Sequence, residues 1–180
     1  MNVEQILDLL PDYAKDLRLN WTSLLSQGEL TDSQKWGSFV AAAFVSRNPE
    51  LLAAVEAEAS KAVAPETIHA AKGAAAIMGM NNIYYRFQHL CGNEKFATMP
   101  PRLRMNIMRT HGADSVDFEL WSIVASAING CGKCVTAHEK VLAEKGVTEE
   151  VILQAVRIAS VVHGVAVALD AQSVASAVTV

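Results

Sequence analysis

The sequence is poor in aromatic residues and in basic charge, and each shortage excludes a class of protein. Aromatic residues make up 6% of the 180 residues, which argues against a β-sandwich or a β-barrel. The formal net charge is −4, and the 15 Lys and Arg residues form no basic run. We therefore expect no nucleic-acid binding and no attachment to an anionic membrane surface.

The sequence also shows no signal for export and no clear membrane span. Residues 1–5 are polar and acidic, without the basic and apolar regions of a secretory signal. The most apolar stretch, residues 151–180, is interrupted by polar and charged side chains that include Gln154, Arg157, His163 and Asp170. We interpret this stretch as a buried helix rather than a transmembrane span. The sequence therefore predicts a cytoplasmic protein.

Helix-forming residues are abundant in the chain. Alanine and valine supply much of the 51% hydrophobic fraction, and alanine is the strongest helix former. Proline and glycine separate segments in which apolar residues recur at helical spacing. No alternation at period two persists long enough to predict a strand. The sequence therefore predicts an all-α fold, in a single domain of residues 1–180.

A weak internal repeat relates the two halves of the chain. Residues 32–38 resemble residues 117–122, which aligns Trp36 with Trp121. Each half has the pattern helix, turn, helix and long helix, and the first half lacks the thiols of the second. We predict a helical bundle of two similar halves, with a degenerate first half at about residues 1–90, a joining segment at about residues 91–114 and a catalytic second half at about residues 115–180.

The second half contains a Cys-x-x-Cys pair, Cys131 and Cys134, followed four residues later by His138. Structural disulfides are rare in the cytosol, so we interpret the pair as catalytic or metal-binding. Gly130 ends one helix, and the apolar residues after the pair predict another, with both cysteines in its first turn. There the free N–H groups and the helix dipole stabilise a thiolate, which is the attacking species in thiol chemistry.

The spacing of the site residues predicts that they act together. Intervals of three and four residues place Cys131, Cys134 and His138 on one stripe of a helix, where His138 can exchange a proton with Cys134. Glu119 lies on the preceding helix. In an antiparallel hairpin Glu119 and His138 reach similar height, since each residue rises about 1.5 Å. A carboxylate among apolar residues needs a partner, and His138 is the one we predict.

Other interpretations of the cysteines remain open. The pair and His138 could hold zinc, but a tetrahedral structural site needs a fourth ligand. The three candidates for that ligand lack the usual spacing to the pair: Cys91, His111 and His163. The two cysteines could also be inert, since free cysteine is among the most buried residue types.

Taken together, Glu119, the Cys131-Gly-Lys-Cys134 motif and His138 resemble the AhpD family of alkylhydroperoxidases, within the carboxymuconolactone decarboxylase-like superfamily. The resemblance covers nearly the whole chain, including residues 1–7 and 84–87. It implies an all-helical AhpD-like fold assembled as a homotrimer. It also implies an antioxidant oxidoreductase, a lipoyl-dependent alkyl hydroperoxide reductase. The alternative within the superfamily is a decarboxylase-like enzyme with incidental thiols.

The resemblance implies a role for each site residue. Cys134 meets the peroxide and passes through a sulfenic acid, and Cys131 resolves it by forming the Cys131–Cys134 disulfide. Cys131 also forms a mixed disulfide with the peroxiredoxin AhpC, while Glu119 and His138 form a proton relay. Lys133 departs from family members that carry histidine there. One expectation does not depend on the resemblance. Cys131 lies at the very start of the helix, so we expect it to be the more exposed of the two cysteines.

The implied electron source is external. Dihydrolipoamide on a lipoylated acyltransferase would donate electrons, and dihydrolipoamide dehydrogenase would keep it reduced. We expect no tightly bound cofactor and no metal. Thiol chemistry agrees with this scheme, because a sulfenic acid condenses with a neighbouring thiol and a dithiol exchanges the resulting disulfide away.

Overall fold

A computed structural model describes the protein at residues 1–26 and 28–178. These residues form ten α-helices, one 3-10 helix and no strand, so the predicted all-α class is confirmed. Residues 27, 179 and 180 of the predicted domain lie outside the described residues.

The earlier elements are α1 (Val3–Asp8), the 3-10 helix Asp12–Ala14, α2 (Lys15–Ser26), α3 (Asp32–Ser46), α4 (Pro49–Ala59) and α5 (Pro65–Leu90). The later elements are α6 (Glu94–Thr98), α7 (Ile107–Thr110), α8 (Ser115–Ile128), α9 (Gly132–Glu144) and α10 (Glu149–Val178).

Local sequence signals set the starts of the helices. The Thr31 side chain accepts a hydrogen bond from the Gln34 N–H, and the Gln34 side chain accepts one from the Thr31 N–H, so the two form a capping box. Asn48 caps α4 in a similar way, and Pro49 is its first residue. Proline is well tolerated at that position because its missing N–H would have no partner inside the helix.

The series α3, α4, α5 recurs in the same order as α8, α9, α10. The helices have 15, 11 and 26 residues in the first series and 14, 13 and 30 in the second. α3 packs against α8 in the centre, and α5 and α10 each pack against both of them. The architecture therefore has the two similar halves predicted for the fold. The residue boundaries of the halves and of the joining segment stay predictions.

The centre of the core depends on a close approach between α3 and α8. Gly37 lies directly against the indole of Trp121, and a Cβ built at Gly37 would be 2.2 Å from the Trp121 Cε2 atom. Trp121 is fully buried, whereas its counterpart Trp36 is only partly buried at the edge of the core. The repeat therefore aligns the two tryptophans without giving them equal burial.

α10 is the helix that, in the described part of the chain, has the length and apolar composition to cross a membrane. Half of its apolar window is buried inside the protein, where the helix packs against α2, α3 and α8. These contacts are those of a core helix. The sequence predicts a buried helix here because polar residues interrupt the apolar stretch.

Candidate active site

The two cysteines lie at the turn between α8 and α9. Gly130 has a φ of +67°, in the left-handed region that favours glycine, and it follows directly after α8 and its C-cap residue. Cys131 is the N-cap residue of α9, and Cys134 lies in its first turn. The two form a disulfide, and the Cys134 N–H donates to the Cys131 Sγ atom at 3.3 Å. The thiol pair therefore lies at the positive end of a helix, as the sequence predicts.

The expectation that Cys131 is the more exposed cysteine is wrong. Cys131 is 0% exposed, whereas Cys134 is 6% exposed. The reason is that an N-cap side chain folds back over the first turn of its helix. The Cys131 N–H also donates to the carbonyl of Ser126 at 3.1 Å, which ties the residue to the end of α8.

Glu119 and His138 meet across the α8–α9 hairpin. The Glu119 Oε2 atom lies 2.7 Å from the His138 Nδ1 atom, so the predicted contact is present. The His138 Nε2 atom lies 3.3 Å from the Sδ atom of Met78 on α5. The imidazole is buried and is held at both ring nitrogens. Its orientation is therefore fixed by a carboxylate on one side and a thioether on the other.

Cys134 and His138 face a pocket of about 260 Å³ between α5 and α9. The residues that α9 contributes to its wall are Lys133, Cys134, Ala137 and His138. The residues that come from α5, from α7 and from the segment before α7 are Met78, Asn81, Tyr85, Met105 and Met108. Cys131 is not part of this wall. Most of the wall is apolar, so the pocket suits a small hydrophobic molecule placed beside one cysteine sulfur.

Comparison with known proteins places this site in a family. The profile of the carboxymuconolactone decarboxylase family matches residues 94–177, which include all four predicted site residues. The alkyl hydroperoxide reductase AhpD of Acidobacterium capsulatum is 55% identical over 175 residues, covering 97% of this chain and 96% of that protein. The protein of the same name from Solibacter usitatus is 53% identical over 173 residues, covering 96% of this chain and 98% of that protein.

The chain belongs to the AhpD family of alkyl hydroperoxide reductases. The family resemblance read from the motif is thus confirmed over almost the full length. Lys133 of this AhpD-family chain is turned towards α5. Its Nζ atom donates to the Gln88 Oε1 atom at 3.2 Å and lies 5.5 Å from the centre of the Tyr85 ring. A positive charge therefore stands at the edge of the pocket, partly engaged by an aromatic face.

A buried polar network supports the cysteine turn in this AhpD-family site, and sequence analysis missed it. The Asn82 Nδ2 atom donates to the Ser126 Oγ atom at 2.9 Å, and the Asn82 Oδ1 atom accepts from the Asn129 Nδ2 atom at 2.9 Å. Arg86 donates to the carbonyl oxygen of Asn129. Because Asn129 lies two residues before Cys131, the network holds the turn that carries the disulfide.

The weaker sequence candidates lie away from the pair. Cys91 is an exposed free thiol at the end of α5, His111 stacks on Phe118 with ring centres 4.1 Å apart, and the His163 Nδ1 atom lies 3.3 Å from the Ser46 Oγ atom. Within residues 1–26 and 28–178, no group of three or more His, Cys, Asp or Glu side chains could hold a metal ion. The zinc interpretation therefore lacks a ligand set in the part of the chain that the structure describes.

Proposed function

We propose that this protein reduces alkyl hydroperoxides with the Cys131–Cys134 pair and that an external dithiol restores the pair. The observation that carries the proposal is that Cys134 is bonded to Cys131 and at the same time faces an apolar pocket shared with His138. The names of the relatives from Acidobacterium capsulatum and Solibacter usitatus, alkyl hydroperoxide reductase, support the same substrate class.

In the first step the Cys134 thiolate attacks the terminal oxygen of the hydroperoxide. The S–O bond forms, the O–O bond breaks, and the alkoxide leaves as an alcohol after it gains a proton. We assign delivery of that proton to His138, which the Glu119 carboxylate orients at 2.7 Å. The product on Cys134 is a sulfenic acid, which is polar and needs rapid resolution.

In the second step Cys131 resolves the sulfenic acid. Its thiolate attacks the Cys134 sulfur, the disulfide forms, and hydroxide leaves as water after it gains a proton. The Cys134 N–H, which points to the Cys131 Sγ atom at 3.3 Å, stabilises negative charge on Cys131 before the attack. The pair needs little movement for this step, because both sulfurs already belong to one helix turn.

In the third step a dithiol reduces the disulfide, and we propose dihydrolipoamide as the donor. One donor thiolate attacks Cys134, which faces the pocket, and Cys131 leaves as the thiolate that the helix start stabilises. The second donor thiol then releases the protein. A lipoylated acyltransferase would carry the donor, and dihydrolipoamide dehydrogenase would keep it reduced. No tightly bound cofactor takes part in these steps.

The proposal extends to partners and assembly. We propose that the reduced protein also regenerates the peroxiredoxin AhpC through a mixed disulfide at Cys131. Because Cys131 is buried in the disulfide form, the α8–α9 turn must open for that exchange. We further propose a cytoplasmic homotrimer, and self-association is supported by three exposed apolar side chains on one stripe of α5: Ile83, Phe87 and Leu90.

The experiment is oxidation of dihydrolipoamide by the purified protein with a small alkyl hydroperoxide, with and without oxidised AhpC. We expect turnover in the wild type and none in Cys131→Ser or Cys134→Ser. The matched control is Cys91→Ser, which removes the exposed free thiol and keeps activity. Full peroxidase activity in the double variant Cys131→Ser/Cys134→Ser would contradict the proposal and favour the decarboxylase-like alternative.

A further inference from the structure

Asn81 is a buried carboxamide in the wall of the reaction pocket. Its side chain is on α5, three residues after Met78 and four before Tyr85, so the three lie on one face of the helix. Asn81 is only 3% exposed, and its Oδ1 atom is buried without a hydrogen-bond partner among the residues that the structure describes. Its Nδ2 atom has one weak contact, to the Met108 Sδ atom at 3.8 Å. A thioether is a poor acceptor, so the carboxamide is almost unpaired.

The neighbouring asparagine shows the opposite situation. Asn82 is 1% exposed, and both ends of its carboxamide are paired, with Ser126 and with Asn129, at 2.9 Å each. Burying an unpaired polar group destabilises a fold, whereas a paired one is tolerated. The pairing of Asn82 therefore explains its burial, whereas no comparable pairing within the described part of the chain compensates the burial of Asn81.

We infer that Asn81 binds the hydroperoxide group of the substrate beside Cys134. A hydroperoxide has one O–H donor and oxygen lone pairs that accept, and a carboxamide has one acceptor and two donors. The Asn81 Oδ1 atom accepts from the terminal O–H, and the Nδ2 atom donates to the oxygen that bears the alkyl group. The apolar wall around it holds the alkyl group. The inference rests on the proposed function and names the residue that orients its substrate.

This contact acts on the step that breaks the O–O bond. When the Cys134 thiolate attacks the terminal oxygen, negative charge develops on the oxygen that bears the alkyl group. A donor fixed at that oxygen stabilises the transition state more than the ground state, until His138 delivers the proton. Reduction of the disulfide by a dithiol involves no hydroperoxide. The two half-reactions should therefore differ in their need for Asn81.

The experiment compares Asn81→Leu with Asn82→Leu in the full-length protein. For each variant we would measure the rate of disulfide formation by the prereduced protein with cumene hydroperoxide, the rate of disulfide reduction by dihydrolipoamide, and the Tm. For Asn81→Leu we expect the peroxide rate to fall about 100-fold, the usual effect of losing one preorganised donor. We expect its dithiol rate to stay unchanged and its Tm to stay or rise. For Asn82→Leu we expect the Tm to fall, because Ser126 and Asn129 lose their partner.

Three results would overturn the inference. They are an unchanged peroxide rate in Asn81→Leu, an equal fall in both half-reactions, or a fall in Tm as large as that of Asn82→Leu. Asn81→Ala gives the same comparison without filling the pocket, should the leucine variant not fold. A wild-type protein that forms no disulfide with any hydroperoxide would overturn the proposed function itself, whereas a reactive wild type with an equally reactive Asn81→Leu would overturn only the role of Asn81.

Discussion

The His138 Nδ1 atom and the Glu119 Oε2 atom lie 2.7 Å apart and join α9 to α8 across the cysteine turn. Both side chains are largely shielded from water, so their interaction is stronger than that of a surface pair. The contact fixes the imidazole ring that faces the pocket. Substitutions at these two residues therefore alter the proton transfer while both cysteines stay in place.

The first prediction concerns this pair. Replacing His138 with Gln should lower the rate of disulfide formation with peroxide by about 100-fold, which is the lower end of general acid–base contributions. Glu119→Gln should lower it less, because a neutral amide still orients the ring without its charge. Stopped-flow measurement on the prereduced protein tests both. Glu139→Gln, an exposed carboxylate on α9, is the control and should react like wild type.

The second prediction concerns the central helix contact. Gly37→Ala should lower the free energy of unfolding by about 1–3 kcal/mol, as overpacking of a core does, because the added Cβ meets the Trp121 indole. Urea unfolding measures the change. Gly79→Ala on α5 has open space around its Cβ and should instead gain about 0.5–1 kcal/mol from helix propensity. A Gly37→Ala protein as stable as wild type would mean that α3 and α8 do not approach so closely.

The third prediction concerns two buried serines of α8. Ser126→Ala removes the acceptor of the Asn82 amide and should lower the free energy of unfolding by about 1–3 kcal/mol. Ser122 is equally buried, yet its hydroxyl has no hydrogen-bond partner within residues 1–26 and 28–178, so Ser122→Ala should be neutral or stabilising. Urea unfolding of the two variants side by side separates a network effect from a general loss of hydroxyl groups. Equal losses would count against the network.

The fourth prediction concerns the identity of the exchanging sulfur. In Cys134→Ser, the remaining Cys131 should capture AhpC as a mixed disulfide. Mass spectrometry of the trapped complexes identifies the linked cysteine. Capture of AhpC by Cys131→Ser and not by Cys134→Ser would move the docking role to Cys134.

Much of the fold and part of the site follow from short-range sequence signals. Capping residues mark helix starts because their hydrogen bonds reach residues only three positions away, as at Thr31. First-turn prolines mark helix starts because their missing N–H needs no partner there, as at Pro49. The contact between Glu119 and His138 follows from the same local geometry, since two helices joined by a tight turn must run side by side.

The remaining features depend on contacts that spacing cannot reveal. Cys131 is more buried than Cys134 because the backbone angles of Cys131 turn its side chain over the first turn of α9. The pocket brings Asn81 and Met78 to Cys134 from more than fifty positions away, and this placement depends on how α5 crosses α9. The helical spacing of Met78, Asn81 and Tyr85 does place them on one face of a helix. Such a face more often packs into a protein core than lines a pocket, so the spacing alone does not predict the pocket.

Because Cys131 is shielded, the size of a reductant decides whether it can reach the disulfide. If dihydrolipoamide is the donor as proposed, its slender arm would enter the pocket that Cys134 faces, whereas a folded protein thiol would be too broad to follow it. Under the proposed roles, electrons enter by the narrow route and leave for AhpC only when the turn opens. The protein would then exchange only slowly with bulky cellular thiols, so access would set the route of the electrons while the redox potentials set their direction.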